Sequence, residues 1–516
     1  MTPRGAAGRG GAKRPRRPVR DQARNVAFDV MRAVAERDAY ANLLLPRLLR
    51  ERDISGRDAA LATELTYGTL RGLGTYDEII MACSDRAPDP AVRDALRLGA
   101  HQLLKMRIPP HAAVGTSVDL VRLRIGQGAA KFVNAVLRKI GGRTLEEWVA
   151  IVAPDPERDP AGHLAVAHSH PRWVVTAFRD ALGKDSGETA DVLAADNDRP
   201  LVTLVARPGR SSMKELRDAG AEPARYSPYG AILPEGDPGR IPAIAETRAA
   251  VQDEASQLVA LALTRVPLDG RDERWLDLCA GPGGKAGLLD AIATHGDLEA
   301  LGDRPDRESG TVSASEGGAG QASGSGGEGE SGAERKPESG TDRESGVVRA
   351  FGGGARLLAS DVQPHRARLV RQTTADAMVI TADGTEPPWR PGVFDRVMLD
   401  APCTGLGALR RRPEARWRRD PSSIAELSGL QRRLLGTALD AVRPGGVVAY
   451  VTCSPHLAET RVVVGDVLAR RDDVEQLDAR DYLPEVGGLG EGPHAQFWPH
   501  RHGTDAMFLA LLRKRA

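Results

Sequence analysis

The stretch WLDLCAGPGGKAG, residues 275–287, decides the fold of the C-terminal half of this chain. A short apolar run leads into a glycine-rich turn and then into a helical pattern, which is the order of strand, turn and helix in a parallel α/β sheet. Glycines at such a turn let backbone N–H groups approach a ligand closely. We therefore predict that the turn binds a ligand; the alternative is a tight strand-to-helix turn with a purely structural role.

Short apolar runs of the same kind recur downstream, as ARLLASD (355–361), DRVMLD (395–400) and VVAYVTC (447–453). Helical patterns lie between them, and the clearest opens at Asp420 and Pro421, an N-cap residue followed by proline at the first helical position. Strands that alternate with helices indicate a parallel, doubly wound sheet.

An insertion interrupts this order at residues 296–352. The segment is rich in Gly, Ser, Glu and Arg and cannot bury enough apolar surface to fold, so we predict that it is disordered. Gly284 and Asp361 are 77 residues apart, and removing the 57 residues of the insertion leaves 20. That is about the spacing between a glycine turn and the acid that accepts ribose hydroxyls in nucleotide-binding folds. Asp361 is the predicted ribose acid; Asp383 could hold the adenine end of the same ligand or simply form an Asp-Gly turn.

The part of the chain upstream of the sheet divides in two. Apolar residues recur every three or four positions across residues 21–150, for example at Val26 and Val30, which predicts a helical bundle. A proline-rich linker, 153–162, separates this bundle from residues 163–245, where a strand pattern between helical patterns predicts a small α/β domain.

Composition limits the classes of protein that fit. A chain of 516 residues should contain two to four folding units. Its 71 basic and 70 acidic residues nearly cancel, so net charge does not indicate a nucleic-acid partner, but residues 1–20 are basic without any acid and predict a disordered basic arm. No apolar run is long enough for a membrane span or a signal peptide, so we expect a soluble cytoplasmic protein. The four cysteines are too far apart for CxxC metal spacing and do not suggest a disulfide framework.

The motifs together resemble a known family. CAGPGGK, the acid at Asp361, LDAPCTG (399–405) and VTCSPHLAE (451–459) look like the RNA 5-methylcytosine methyltransferases that use S-adenosyl-L-methionine. The N-terminal stretches LTYGTLRG, LGAHQLLKMRIPPHAAV and FVNAVLRKI are similar to the antitermination factor NusB and to the NusB-like domain of the bacterial 16S rRNA cytosine-C5 methyltransferases, the Sun or Fmu family.

The resemblance implies a multidomain fold. It consists of an all-α NusB-like RNA-binding bundle (21–150), the small α/β domain (163–245) and a Rossmann-like α/β methyltransferase domain (246–516) with a mostly parallel seven-stranded sheet. The implied partner is RNA, most simply 16S rRNA, and we expect a monomer without a membrane or metal partner.

The chemistry of cytosine requires more than one side chain. C5 is too weakly nucleophilic to accept a methyl group unaided, so a thiolate must first add to C6, and a second group must then help to expel the thiolate. The resemblance assigns Cys453 as the nucleophile and Cys403 as the group that assists product release. Asp400 would pair with the cytosine N3/N4 edge.

The resemblance also gives a set of cofactor-binding residues. They are Cys279, Ala280, Gly281, Pro282, Gly283, Gly284, Lys285, Asp361, Asp383 and Asp400. Contact of Lys285 with the cofactor or with Asp400 fits the sequence equally well. Cys83 is interpreted as a small buried apolar residue, and Cys279 as structural apart from its backbone in the turn.

A basic segment follows the Cys403 motif and predicts an RNA contact. Guanidinium groups neutralise phosphates, and an indole can stack on an unpaired base. The predicted RNA-binding residues are Arg410, Arg411, Arg412, Arg416 and Trp417. A solvated run of charge is the alternative. His494, His500 and His502 resemble part of the family's C-terminal hairpin rather than a metal site.

Two other functions remain open, and two departures from the family pattern are present. The chain could be a tRNA cytosine-C5 methyltransferase, or a non-catalytic NusB-like RNA-binding or antitermination factor. After the Cys453 motif only one of the usual acids, Glu459, is kept, and Thr460 stands where asparagine is usual. Near the C-terminus, Ala506 and Met507 replace a Gly-Phe pair.

Overall fold

A computed structural model describes residues 21–296 and 354–516 of the chain. The predicted basic arm, 1–20, and residues 297–352 of the predicted insertion lie outside the described residues. Among the residues that are described, no helix combines the length and the apolar character needed to cross a membrane.

The N-terminal part is a bundle of helices, as the apolar spacing predicts. Val26, Val30 and Leu65 are completely buried in its core. Local signals fix several helix ends: Thr144 and Glu147 form a reciprocal capping box. The helices are α1 (Gln22–Arg37), α2 (Ala41–Glu51), α3 (Gly56–Arg71), α4 (Leu73–Cys83), α5 (Pro90–Leu104), α6 (Pro110–Arg124), α7 (Gln127–Ile140) and α8 (Leu145–Val152).

A small α/β region follows. Its elements are α9 (Pro160–Ala167), α10 (Arg172–Leu182), α11 (Thr189–Ala195), β1 (Val202–Ala206), α12 (Met213–Asp218), β2 (Glu222–Pro223), β3 (Gly230–Leu233), α13 (Pro242–Ala245) and β4 (Ala249–Val251). The strands pair antiparallel in the order β2-β3-β1-β4. The predicted boundary at 245 cuts through this sheet and is corrected to follow Val251. A three-residue strand is too short to produce an alternating pattern, so its pairing with β1 could not be predicted.

The C-terminal part contains the sheet indicated by the glycine turn. Its elements are α14 (Glu254–Arg265), β5 (Arg274–Asp277), α15 (Gly284–His295), β6 (Arg356–Asp361), α16 (Pro364–Thr373), β7 (Met378–Thr381), β8 (Phe394–Asp400), α17 (Ser422–Ala441), β9 (Val442–Thr452), α18 (Arg461–Leu468), β10 (Val474–Leu477), β11 (Ala495–Gln496), α19 (Pro499–His502) and β12 (Phe508–Lys514).

This sheet is mixed and mostly parallel, which confirms the predicted fold class. The strand order is β10-β12-β9-β8-β5-β6-β7, with the two-residue strand β11 paired to β12. Strands β5 to β9 are mutually parallel, and β12 runs antiparallel to both β9 and β10. The chain leaves β5 toward β6 and β7, then returns to place β8 and β9 on the other side. The carboxyl ends of β5 and β8 therefore flank the point where the winding direction reverses, where such sheets bind ligands.

The two ends of the predicted insertion meet beside the same turn of α15. The backbone N–H groups of Gly354 and Ala355 both donate to the carbonyl of Ala293, at 3.0 Å each. Gly296 donates to the carbonyl of Ile292 at 2.8 Å. The chain thus departs from the end of α15 and returns beside the same helix before β6 begins. Strands β5 and β6 pair in regular parallel register.

Candidate active site

The glycine turn lies at the carboxyl end of β5. Gly283 has a φ of 103°, and a Cβ at this position would lie 2.1 Å from Thr373 Oγ1. Only glycine tolerates both the backbone conformation and this close approach. The turn is also tied to β6, because the Ala280 N–H donates to the Ser360 carbonyl at 2.9 Å.

The predicted ribose acid lies next to this turn. Asp361 Oδ2 accepts a hydrogen bond from the Gly281 N–H at 3.2 Å, and Oδ1 accepts one from the Gln363 N–H at 2.8 Å. A Cβ at Gly281 would lie 2.5 Å from the same carboxylate oxygen. The two features deduced from sequence spacing are therefore adjacent in space, although 80 positions separate them.

Asp383 lies on an exposed turn after β7. Its Oδ1 accepts hydrogen bonds from the N–H and the hydroxyl of Thr385, at 2.8 and 2.7 Å, and the bond from the backbone N–H is the main cause that lowers the pKa of its carboxyl. The turn geometry that was the alternative interpretation is present, and a role at the adenine end of a ligand stays a prediction.

Lys285 contacts Asp400, one of the two options that the sequence left open. The Lys285 ammonium lies 2.8 Å from Oδ2 of Asp400, the last residue of β8. Burial alone would lower the pKa of Lys285, but the adjacent Asp400 carboxylate outweighs it and raises that pKa above its ordinary value. Lys285 is thus a largely buried cation that fixes the orientation of Asp400.

The two cysteines of the sequence motifs are in contact. Cys403 Sγ and Cys453 Sγ are 3.3 Å apart, each just past the end of one of the neighbouring parallel strands β8 and β9. The hydrogen bond from Cys403 lowers the pKa of Cys453, and the Lys285 cation adds to this effect. The same hydrogen bond, with burial, raises the pKa of Cys403 well above its ordinary value. The arrangement favours a thiolate at Cys453 and a thiol at Cys403.

Gly407 joins the segments that carry the two thiols. Its N–H donates to the Cys453 carbonyl at 2.8 Å, and its own carbonyl accepts from the Ala506 N–H at 2.9 Å. A Cβ at Gly407 would lie 1.9 Å from the Ala506 carbonyl oxygen, so no other residue fits.

Sequence reasoning missed Asp277, the acid inside the apolar run of β5. Its carboxyl is completely buried beside the glycine turn, and no side chain of the described residues donates to it. Burial, reinforced by the negative charge of Asp400, raises the pKa of Asp277 to about 8. An acid at a buried strand position was the available signal, because buried carboxyl groups cluster at functional sites.

Sequence reasoning also missed the role of Glu459. Its carboxylate is completely buried and accepts hydrogen bonds from Thr404 and Ser454, the residues that directly follow the two cysteines. The retained acid was recognised only as a partial match to the family pattern. Its contacts depend on the packing of loops 55 residues apart in the chain, which no local pattern reports.

Arg416 is not available to RNA, and this part of the predicted RNA contact is wrong. Its guanidinium is completely buried and donates to the carbonyls of Arg71, Ser169 and Asp196 and to the side-chain oxygen of Asn197, at 2.7 to 3.2 Å. Four oxygen acceptors from the helical bundle and the following region surround it. Arg416 therefore closes the junction at which its segment packs against the helical bundle and the region that follows the bundle, and it does not contact phosphate.

Two further arginines of the run are held by acids. Arg411 makes a bidentate ion pair with Asp505, although its side chain is still 42% exposed. Arg410 faces Asp253 at 3.8 Å and is mostly buried. Both are therefore oriented by carboxylates and cannot be treated as free cations.

Arg412 and Trp417 remain on the surface. Trp417 is 39% exposed, and the Arg412 guanidinium lies 5.7 Å from the ring centroid of the exposed Tyr40. These positions fit a contact with RNA, which stays a prediction.

The three histidines do not come together. His500 bonds to Glu188 at 2.8 Å, and His502 accepts from the Trp498 N–H at 2.9 Å. Within residues 21–296 and 354–516, no group of three potential metal ligands is present.

Comparison with known proteins identifies the family of this chain. Residues 347–513 match the family described as 16S rRNA methyltransferase RsmB/F, and residues 21–141 match the NusB family. A Pseudomonas putida protein named ribosomal RNA small subunit methyltransferase B is 30% identical over 96% of this chain and 98% of its own length. The chain belongs to the RsmB/F methyltransferase family.

Other similarities extend over the whole chain. A Mycobacterium tuberculosis protein named as a methyltransferase is 49% identical over 100% of both chains. The solved structure of PH0851 has a TM-score of 0.69 and 21% identity, covering 96% of this chain and 99% of that one, and supports the fold alone. As a member of the RsmB/F family, this protein is an RNA methyltransferase that uses S-adenosyl-L-methionine.

Proposed function

We propose that this RsmB/F protein methylates C5 of a cytosine in 16S rRNA through a transient bond between Cys453 and cytosine C6. The observation that carries the proposal is the contact between two thiols at the carboxyl ends of neighbouring parallel strands, at 3.3 Å, beside the glycine turn and Asp400. A single buried cysteine would be an ordinary core residue. Two thiols in contact, one with a lowered and one with a raised pKa, provide a nucleophile and a proton donor.

The residues at the glycine turn fit S-adenosyl-L-methionine, which supplies an activated methyl group when bound. The glycines let the turn pack closely against Asp361 and Thr373, and the Asp361 carboxylate already lies against the Gly281 N–H, next to where a ribose would bind. The turn from Cys279 to Lys285 would hold the cofactor together with Asp361 and Asp383.

Residues of this site account for the addition to C6 and for the release of the product. The Cys453 thiolate adds to C6, and the electrons of the C5–C6 double bond move onto C5, which can then take the methyl group. Solvent water takes the proton from C5, the C5–C6 double bond forms again, and the C6–S bond breaks with its electron pair returning to the Cys453 sulfur. Cys403 is placed to donate its S–H to the departing sulfur, because the two sulfur atoms are already in contact.

Asp400 is proposed to hold the N3/N4 edge of the cytosine. Its ion pair with Lys285 would keep the carboxylate oriented while charge develops on the ring. Lys285 therefore acts on two residues of the site: it orients Asp400 and lowers the pKa of Cys453.

Transfer of labelled methyl from S-adenosyl-L-methionine to small-subunit rRNA, followed by mapping of the modified base, tests the proposal. We expect 5-methylcytosine with the wild type and none with Cys453→Ala. Cys403→Ser should accumulate a denaturant-resistant protein–RNA adduct, while Cys83→Ser, a buried cysteine in the helical bundle, should behave as the wild type. Methyl transfer undiminished in Cys453→Ala would overturn the proposal.

The RNA substrate is tested in the same assay. The name of the Pseudomonas putida relative and the NusB match support 16S rRNA over tRNA. Preferential methylation of tRNA would reject the 16S assignment and leave the chemistry intact. Absence of cofactor binding by calorimetry would revive the non-catalytic alternative. We also propose a monomer, which sedimentation can test.

A further inference from the structure

Glu459 binds both segments that carry the thiols. Its Oε1 accepts from the Thr404 N–H at 2.8 Å and from the Gln431 amide at 3.3 Å. Its Oε2 accepts from the Thr404 hydroxyl at 2.5 Å and from the Ser454 hydroxyl at 2.6 Å. Thr404 follows Cys403, and Ser454 follows Cys453. Each cysteine is therefore the direct chain neighbour of a residue that donates to this carboxylate.

The surrounding contacts fix the position of this carboxylate. The Tyr450 hydroxyl donates to the backbone carbonyl of Glu459 at 2.7 Å. Gln431 donates to the carbonyl of Pro402 at 2.8 Å as well as to Glu459, so α17 supports the same loop. Four donors directed at two oxygens are what an ionised carboxylate accepts.

A purely structural explanation does not account for a buried charge at this position. Apolar side chains of similar volume usually stabilise a core as well as a buried ion does. The charge of Glu459 also acts unequally on the two thiols: it raises the pKa of Cys403, after the larger effects of the Cys453 hydrogen bond and burial. Glu459 is not among the main influences on the pKa of Cys453.

We propose that Glu459 is a positioning residue that holds the two sulfur atoms in contact and whose negative charge keeps their shared proton on Cys403. When the pair loses one of its two protons to solvent, the remaining proton stays on Cys403, and Cys453 is the thiolate. The catalytic meaning of this arrangement rests on the proposed role of Cys453 as nucleophile. The proton distribution itself does not depend on that role.

Alkylation of the two thiols by iodoacetamide, followed by mass spectrometry of each cysteine, measures how the proton is distributed between Cys403 and Cys453, because only the thiolate reacts. Glu459→Gln is nearly isosteric, and the hydroxyls of Thr404 and Ser454 can rotate to accept from the new amide, so the contacts persist while the charge is lost. We expect the ratio of Cys453 to Cys403 alkylation to fall about tenfold, the effect of one pKa unit. Methyl transfer should slow, and cofactor affinity should not change.

Two further variants separate charge from geometry. Glu459→Asp keeps the charge but shortens the side chain, so we expect slower methyl transfer with the alkylation ratio retained within about twofold. Glu426→Gln makes the same chemical change at an exposed position of α17 and should match the wild type.

An unchanged alkylation ratio in Glu459→Gln overturns the proposal, whatever happens to methyl transfer. If that variant does not fold, Ser454→Ala decides, because it removes the hydroxyl that ties the Cys453 segment to Glu459 at 2.6 Å and to the Thr404 hydroxyl at 3.1 Å, and so loosens the contact between the two sulfur atoms. Slower alkylation of Cys453 then supports the proposal, and an unchanged rate rejects it. The readout needs neither RNA nor cofactor, so a wild type that does not methylate rRNA would reject the proposed function and leave this inference standing.

Discussion

Replacing Arg416 with methionine tests whether this arginine closes a junction or contacts RNA. The substitution keeps the length of the side chain and removes the donors to four buried oxygen acceptors. Hydrogen bonds from a charged donor contribute about 1.5 to 3 kcal/mol each, and loss of the buried charge recovers part of its desolvation cost. We therefore expect Arg416→Met to destabilise the protein by about 4 kcal/mol.

Arg412→Met is the matched control, because Arg412 is exposed in the same segment. Arg416→Met should unfold at a lower urea concentration than the wild type and should be cleaved faster in limited proteolysis. Arg412→Met should match the wild type in both measurements. Binding to single-stranded RNA at several salt concentrations gives the second readout. The slope of log affinity against log salt should fall by about 0.7 when one phosphate contact is lost, and we expect this only for Arg412→Met.

The opposite pattern would refute the reasoning. If Arg416→Met unfolds like the wild type but loses salt dependence of RNA binding, the guanidinium contacts phosphate in solution. Its four internal hydrogen bonds would then not describe the working protein.

Three further predictions concern the site. Gly407→Ala places a Cβ 1.9 Å from a backbone carbonyl oxygen and should cost at least about 1 to 3 kcal/mol by urea denaturation; Gly436→Ala, with open space around it, should not destabilise, and equal stabilities of the two would contradict this. Lys285→Met removes a cation that lowers the pKa of Cys453, so the pH midpoint of its alkylation should move upward; an unmoved midpoint would count against that influence. Asp277 has its pKa raised to about 8 by burial, so the folded state retains a proton that the unfolded state has lost above about pH 4. Asp277 therefore lowers the stability of the wild type as the pH rises from about 4 to about 8, and the melting temperature of Asp277→Asn relative to the wild type should rise over this range; parallel pH profiles would refute it.

The features that sequence predicted well are local. The strand, glycine turn and helix at residues 275–287 form where their pattern placed them, because apolar runs and glycines act over a few residues. The placement of Cys403 and Cys453 at one edge of the sheet follows from the same logic: each ends a parallel strand, and parallel strands present their carboxyl ends at one edge.

The features that sequence could not predict depend on contacts between distant segments. Arg416 belongs to a basic run, and only the packing of acceptors more than 200 positions away makes it structural. The role of Glu459 could not be predicted for the same reason, because it depends on the loops that carry Thr404 and Ser454 and that approach Glu459 only in the folded protein. The short strand Ala249–Val251 carries no periodicity of its own and forms by pairing with β1.

The adjacent ends of the insertion make this position a tolerant site for engineering. Gly296 and Gly354 are both anchored to the last turns of α15, so the connection between them can change in length without moving β5 or β6. The entropic cost of closing such a loop grows only slowly with its length. Replacing residues 297–353 by a short glycine-serine linker, or by a fluorescent reporter, should leave folding intact and would provide a label for following the protein.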